Sequence, residues 1–327
     1  MIFLGHDFFE TLLLKISKIQ KTLMENILVT GGSGLVGRCF TGPEYYKISS
    51  SQFNLKIPAE VEEAFYLTNP NGVIHCAAKV GGVLGNMRYK GEFFYDNIMI
   101  NTNVIEQARK SGVKKLIAFL STCVFPDDVE YPLSPDKIHK GTPHKSNDAY
   151  AYAKRMSDVQ IRSYREQYGL NYFSVIPTNI YGPGDYYNLE NGHVVPMLIH
   201  KFHIAQEQNK AVEIWGSGKP LREFIFSDDV AKLTRMLYDD YKGIDPVILS
   251  TSNEISIMDL VDIIKEAFDF KGEINFDKSK PDGQFRKPSD NSIIKSLYPD
   301  FKFTPIEEGI KKSVKWFIDN YPNNTRL

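Results

Sequence analysis

The sequence predicts an α/β fold, a doubly wound parallel sheet with a smaller α/β lobe beside it, and three features carry that expectation. Short apolar runs of strand length alternate with helical stretches through the first half, the pattern of parallel strands joined by right-handed crossovers. The first such run leads directly into a glycine-rich turn, where sheets of this kind hold a pyrophosphate. At 327 residues the chain also exceeds the ~250–300 at which one core stops growing, so a second lobe is expected.

Residues 1–23 precede that architecture. Their apolar positions, Phe8, Phe9, Leu12, Leu13, Ile16, Ile19 and Leu23, recur at helical spacing and predict an amphipathic helix. Asp7, Glu10, Lys15 and Lys18 interrupt the stretch too often for a secretion signal, and the acids argue against a mitochondrial presequence. Met24 then opens the first strand region, so the segment is either an appended helix or sequence upstream of the working start.

Ile27-Leu28-Val29-Thr30 reads as that first strand, and Gly31-Gly32-Ser33-Gly34-Leu35-Val36-Gly37 as a turn opening a helix. Glycines let the backbone bend sharply and approach phosphates, whose charge free helix-end amides would meet. A tight turn without a ligand is the other reading, and the strand before it favours a dinucleotide site. Further strands are expected at Tyr46–Ile48, Gly72–His75 and Lys115–Leu120, with a helix from Phe93 to Lys110 stopped by Gly112. After Ile176 loops rich in Tyr, Asn, Gly and Pro suit a pocket wall. Leu221 to Asp229 is expected to return to the first lobe, Glu223–Phe226 as a strand and Asp228 starting a helix, and further helices are expected over 256–268 and 305–320. The lobes are therefore interleaved, 24–177 with 223–251 binding nucleotide and 178–222 with 252–327 binding substrate.

The net charge is −1 with acids and bases interspersed, which excludes a basic field for nucleic acid and a polybasic membrane tract. Small molecules are the expected partners. Cys39, Cys76 and Cys123 form neither a disulfide framework nor a CxxC pair, so no metal is expected and the thiols are read as reduced, in a cytoplasmic chain.

Tyr150 and Lys154 are one helical turn apart and share a face. Spacing alone also fits a solvated helix face. With Ser121 at the carboxyl end of the Lys115 strand, the three residues fit carbonyl reduction by a nicotinamide. Tyr150 would donate the proton, Ser121 would hydrogen-bond the oxygen, and Lys154 would favour the phenolate. At the end of the second strand Ile48-Ser49-Ser50-Ser51 stands where an acid would select NAD, and Arg38 could reach a 2′-phosphate. NADP(H) is therefore expected; Arg38 also reads as a plain exposed helix residue.

Through the segment Thr30 to Gly37, Ser121 and Tyr150-x-x-x-Lys154, the chain resembles the extended short-chain dehydrogenase/reductases, a Rossmann-type family, from about Met24 to the C-terminus. Ala77-Ala78-Lys79-Val80-Gly81-Gly82, Ser121-Thr122-Cys123, Pro177-Thr178-Asn179-Ile180, Asn191-Gly192-His193 and Trp215-Gly216-Ser217-Gly218 narrow the resemblance. They point to the branch that epimerises and then reduces a GDP-linked 4-keto-6-deoxy-mannose. The resemblance implies Cys123 as base and His193 as acid, a homodimer, and Pro177, Thr178, Asn179, Ile180 and His193 beside the cofactor. On their own, Cys123 reads as a small buried residue and His193 as a satisfied histidine. A GDP-sugar needs cations and an aromatic surface, for which Lys201, Arg222, Lys287 and Trp215 are candidates, and the resemblance adds Asp282. Core packing for Trp215 and a wet surface for the cations are the other readings.

The chain departs from the family after Gly37. Only Arg38-Cys39-Phe40-Thr41 precede Gly42-Pro43, which predicts a first crossover helix of barely two turns. Other functions compatible with the fold are a sugar-nucleotide 4-epimerase or 4,6-dehydratase, or a non-enzymatic NADP-binding regulator. Ser121-Thr122-Cys123 stands where dehydratases resembling this fold carry Thr-Asp-Glu, and a regulator has no reason to keep Ser121, Tyr150 and Lys154 together.

Overall fold

A computed structural model describes residues 25–280, 282 and 284–327; the helix expected over residues 1–23 lies outside them. In the first half, β1 (Ile27–Thr30), β2 (Tyr45–Ile48), α1 (Pro58–Thr68), β3 (Gly72–His75), α2 (Val83–Arg88) and α3 (Lys90–Lys110) follow one another. Then come β4 (Lys115–Phe119), α4 (Asp148–Tyr168) and β5 (Asn171–Pro177). The second half adds β6 (Asn179–Tyr181), α5 (Val194–Gln208), β7 (Val212–Trp215), β8 (Leu221–Phe226), α6 (Ser227–Asp240), β9 (Val247–Leu249) and β10 (Glu254–Ser256). It closes with α7 (Ile257–Phe268), β11 (Ile274–Asp277), α8 (Ser292–Leu297) and α9 (Ile306–Asn320).

The main sheet has six parallel strands in the order β2-β1-β3-β4-β5-β9. Whereas the edge strand β2 exposes Tyr46 and Lys47, strands β1, β3, β4, β5 and β9 are largely apolar and buried because helices cover both faces. Alternation sorts them: Ile27, Val29, Ile74, Ile117, Phe173 and Val175 pack with α6, while Leu28, Val73, Leu116, Ala118 and Tyr172 pack with α1, α3 and α4. The chain leaves β1 for β2 on one side and returns to β3 on the other. The crevice between those two connections is where such a sheet takes a ligand.

A second core gathers Leu198, Phe202, Leu260, Ile264, Ile310 and Phe317 from α5, α7 and α9. It packs with a three-stranded sheet, β10-β8-β6, and a two-stranded one, β11-β7. Helix α7 begins as expected, with Ser256 and Asp259 forming a reciprocal capping box.

Two expectations need correction. The first crossover contains no α-helix: after the glycines only one 3₁₀ turn, Gly37–Cys39, forms. Just 14 residues separate Thr30 from Tyr45, and Gly42 with Pro43 ends the turn before an α-helical ladder can start. Strand β8 pairs with β6 and β10 outside the main sheet, and it is α6 and β9 that return to it.

Candidate active site

The cradle is built first, by β1 and its turn. The Gly34 amide donates to the Gly31 carbonyl at 2.9 Å and the Arg38 amide to the Gly34 carbonyl at 3.1 Å. Gly31 sits at φ +68, and a Cβ there would lie 2.9 Å from the Ala77 backbone, so only glycine fits without displacement. At Gly37 a Cβ would fall 2.2 Å from the Gly31 carbonyl oxygen. This bare, inward-curling backbone fits a dinucleotide pyrophosphate, with Ser33, Gly34, Leu35 and Val36 also lining the cleft.

The cleft holds about 1910 Å³ and runs from this turn to the second lobe. Ser121, Cys123, Tyr150, Lys154 and His193 all line it, as do Pro177, Thr178, Asn179 and Ile180. Lys201, Trp215, Arg222, Asp282 and Lys287 form its far wall. Among the sequence-predicted residues, Gly32 and Arg38 are not brought to it. Gly32 packs against Lys47, and the Arg38 guanidinium lies over the Trp316 ring, 5.0 Å from its centroid. Ser49 and Ser50, past β2, do reach the cleft, and no acid stands beside them in the chain.

The end of β4 presents the reacting groups. Ser121 caps the 3₁₀ turn Thr122–Val124 and accepts from the Cys123 amide at 3.4 Å. Tyr150 and Lys154 come from the first turns of α4 and are both buried. The expected pairing of their charges is not what the geometry gives. Lys154 Nζ donates to the Phe119 carbonyl at 2.8 Å, and burial lowers its ammonium to about 8, opposed only by Cys76. Tyr150 is pushed up, by burial first and then by the charge of Cys123. Burial dominates at Tyr150 while Lys154 is turned to the Phe119 carbonyl, so the phenol keeps its proton.

His193 precedes α5 with its side chain uncapped. It is open to the cleft but deep among protein atoms, and that poorly hydrated setting lowers its imidazole. On the far wall, burial lowers Lys201, Arg222 and Lys287. Lys201 Nζ donates to the Glu213 carbonyl at 2.9 Å and sits 5.6 Å from the Trp215 ring centroid. Asp282 is already engaged, accepting from the Ser217 amide at 2.8 Å and hydroxyl at 2.6 Å. It fixes the turn after Trp215.

Sequence reasoning missed Asp185, a buried carboxyl lining the cleft that burial raises to about 7, against the Tyr186 amide and Arg326. It also missed Asn147, whose amide reaches Cys123. Neither contact has a periodic or motif signal that could have revealed it.

Comparison with known proteins finds relatives that match nearly the whole chain. The family model described as the NAD dependent epimerase/dehydratase family matches residues 27–248. A curated GDP-L-fucose synthase of Dictyostelium discoideum is 48% identical over 316 residues, covering 92% of this chain and 98% of that protein. A probable GDP-L-fucose synthase of Drosophila melanogaster is 40% identical, covering 91% and 98%. The crystal structure of a GDP-L-fucose synthetase from Naegleria fowleri bound to NADP superposes with a TM-score of 0.88 at 42% identity, over 93% of this chain and 95% of that one. With a family model spanning most of the chain and relatives matched nearly end to end, this chain belongs to the NAD dependent epimerase/dehydratase family.

Proposed function

We propose that this chain uses NADPH to convert GDP-4-keto-6-deoxy-D-mannose to GDP-L-fucose, epimerising C3 and C5 and then reducing C4. One observation carries the reading: a single cleft joins the dinucleotide cradle to Ser121, Cys123, Tyr150, Lys154 and His193. The names of the relatives, GDP-L-fucose synthases and an NADP-bound synthetase, support substrate and cofactor.

The 4-ketone acidifies the C–H bonds at C3 and C5, because losing either proton leaves an enolate with its charge on the C4 oxygen. Cys123, as thiolate, takes that proton, and His193 returns one to the opposite face of the carbon, so epimerisation consumes no reductant. Ser121 and Tyr150 donate hydrogen bonds to the C4 oxygen and stabilise the enolate. The bound nicotinamide supplies the hydride that reduces C4. Tyr150, kept protonated by burial, then gives its proton to the alkoxide, and Lys154, titrating near neutrality, restores it.

Lys201, Arg222 and Lys287 are assigned to the diphosphate, Trp215 to the guanine face, and Asp282 to the wall beside it. We assign nucleotide binding to 24–177 with 223–251 and sugar-nucleotide binding to 178–222 with 252–327, with β8 at the seam. A homodimer is proposed on the exposed apolar side chains of α3 and α4, Phe94, Tyr95, Tyr152 and Met156. No helix among the described residues is long and apolar enough to cross a membrane, and a cytoplasmic setting is part of the same proposal.

The test incubates the protein with GDP-4-keto-6-deoxy-D-mannose and NADPH, following NADPH absorbance and identifying the sugar. Loss of NADPH with formation of GDP-L-fucose is expected; no loss of NADPH sinks the reading. In deuterated water, Cys123→Ser should cut deuterium incorporation at C3 and C5 by about 100-fold or more. Unchanged incorporation would remove Cys123 as the base.

A further inference from the structure

We propose that Asn147 is the positioning residue for Cys123, its side-chain amide holding the sulfur in the acceptor state that proton abstraction requires. This rests on the assignment of Cys123 as base.

Asn147 stands immediately before α4, where an asparagine ordinarily turns its side chain back to cap the helix. Here it makes no capping bond. Its Nδ2 instead donates to Cys123 Sγ at 3.0 Å, across 24 residues of chain. An N–H aimed at sulfur favours the thiolate, which accepts, over the thiol, whose own hydrogen would compete for the same space. The sulfur also faces the start of a 21-residue helix, whose positive end favours an anion.

The surroundings complete the case. Both residues line the cleft, so the sulfur is held where substrate arrives. Lys287, on the opposite wall, acts on Cys123 as a cation, and Tyr150 is its neighbour on α4. Of the other charged groups nearby, Asp148 is turned to Lys90 at 3.0 Å, Asp127 accepts from Gln284, and His144 bonds Ser146. Negative charge on sulfur raises Tyr150 further, so a base formed at Cys123 keeps the phenol protonated for its later step. The Asn147 Oδ1 atom is buried without a hydrogen-bond partner among the described residues, so the bond to Cys123 is the side-chain amide's one bond.

The experiment reads the sulfur directly and needs no substrate. The full-length protein and its Asn147→Asp and Asn147→Ala variants are treated with iodoacetamide across pH 6–10, and modification of the Cys123 peptide is timed by mass spectrometry. Loss of a hydrogen bond to a charged acceptor should slow alkylation at pH 7 by about tenfold in Asn147→Ala and more in Asn147→Asp. The difference between the rates should shrink as the pH rises toward 10. Parent-like rates at pH 7 in both variants, or equal slowing at every pH, would overturn the proposal; the second result means altered access only. Failure of the base assignment would appear in the Cys123→Ser deuterium measurement, which leaves the alkylation result standing.

Discussion

The two ends of the cleft are built by opposite means. At the reaction corner, side chains at fixed spacing are mounted on the long helix α4 and the end of β4, and each is buried or hydrogen-bonded. At the cofactor cradle the work falls to bare backbone, a glycine turn followed by three residues of 3₁₀ helix. The cradle can lose its helix because close approach to a phosphate needs backbone shape, whereas proton transfer needs particular side chains at particular distances.

That contrast can be broken in order of expected effect. Tyr150→Phe removes the proposed proton donor and should slow ketone reduction by at least ~100-fold with NADPH binding intact; a normal rate would remove Tyr150 from the mechanism. Gly31→Ala attacks the other end, placing a Cβ against the Ala77 backbone at positive φ, and should weaken NADPH binding by about tenfold or more, read by fluorescence titration. An unchanged affinity would mean the cradle yields more easily than its packing implies.

Lys154 gives a pH signature. Its folded value, about 8, lies below the unfolded one near 10.5, so the unfolded chain binds more protons between them. Stability should therefore rise with pH across that window and be lost as pH falls through 8. Relative to Lys154→Met, denaturant melts should show the parent gaining roughly 3 kcal/mol from pH 8 to 10.5. A flat difference would show that the ammonium is better solvated than its burial suggests. The smallest effect belongs to Arg38→Ala. With the guanidinium over Trp316, NADPH affinity should change by less than about threefold while stability drops about 1 kcal/mol. A tenfold loss of affinity would return Arg38 to the 2′-phosphate.

The sheet was legible because its strands are short, apolar and separated by helices, and β3 runs over Gly72–His75 as expected. Ser121, Tyr150 and Lys154 were legible because a strand end and a four-residue spacing are local facts. What escaped depends on burial and on distant chain. No spacing announces that Lys154 will turn to the Phe119 carbonyl, or that burial will set the state of Tyr150. The tight turn after Gly37 swings Arg38 toward the C-terminal helix, a partner far away in sequence.

The placement of the two tryptophans has a spectroscopic consequence. Trp316 is stacked on Tyr187 beneath Arg38, whereas Trp215 is exposed in the cleft with Lys201 and Lys280 each 5.6 Å from its ring centroid. If guanine binds beside Trp215 as proposed, its arrival should change the emission of that indole and leave Trp316 unchanged. On that assignment the protein would carry its own optical gauge of nucleotide arrival, separate from the absorbance that follows the hydride.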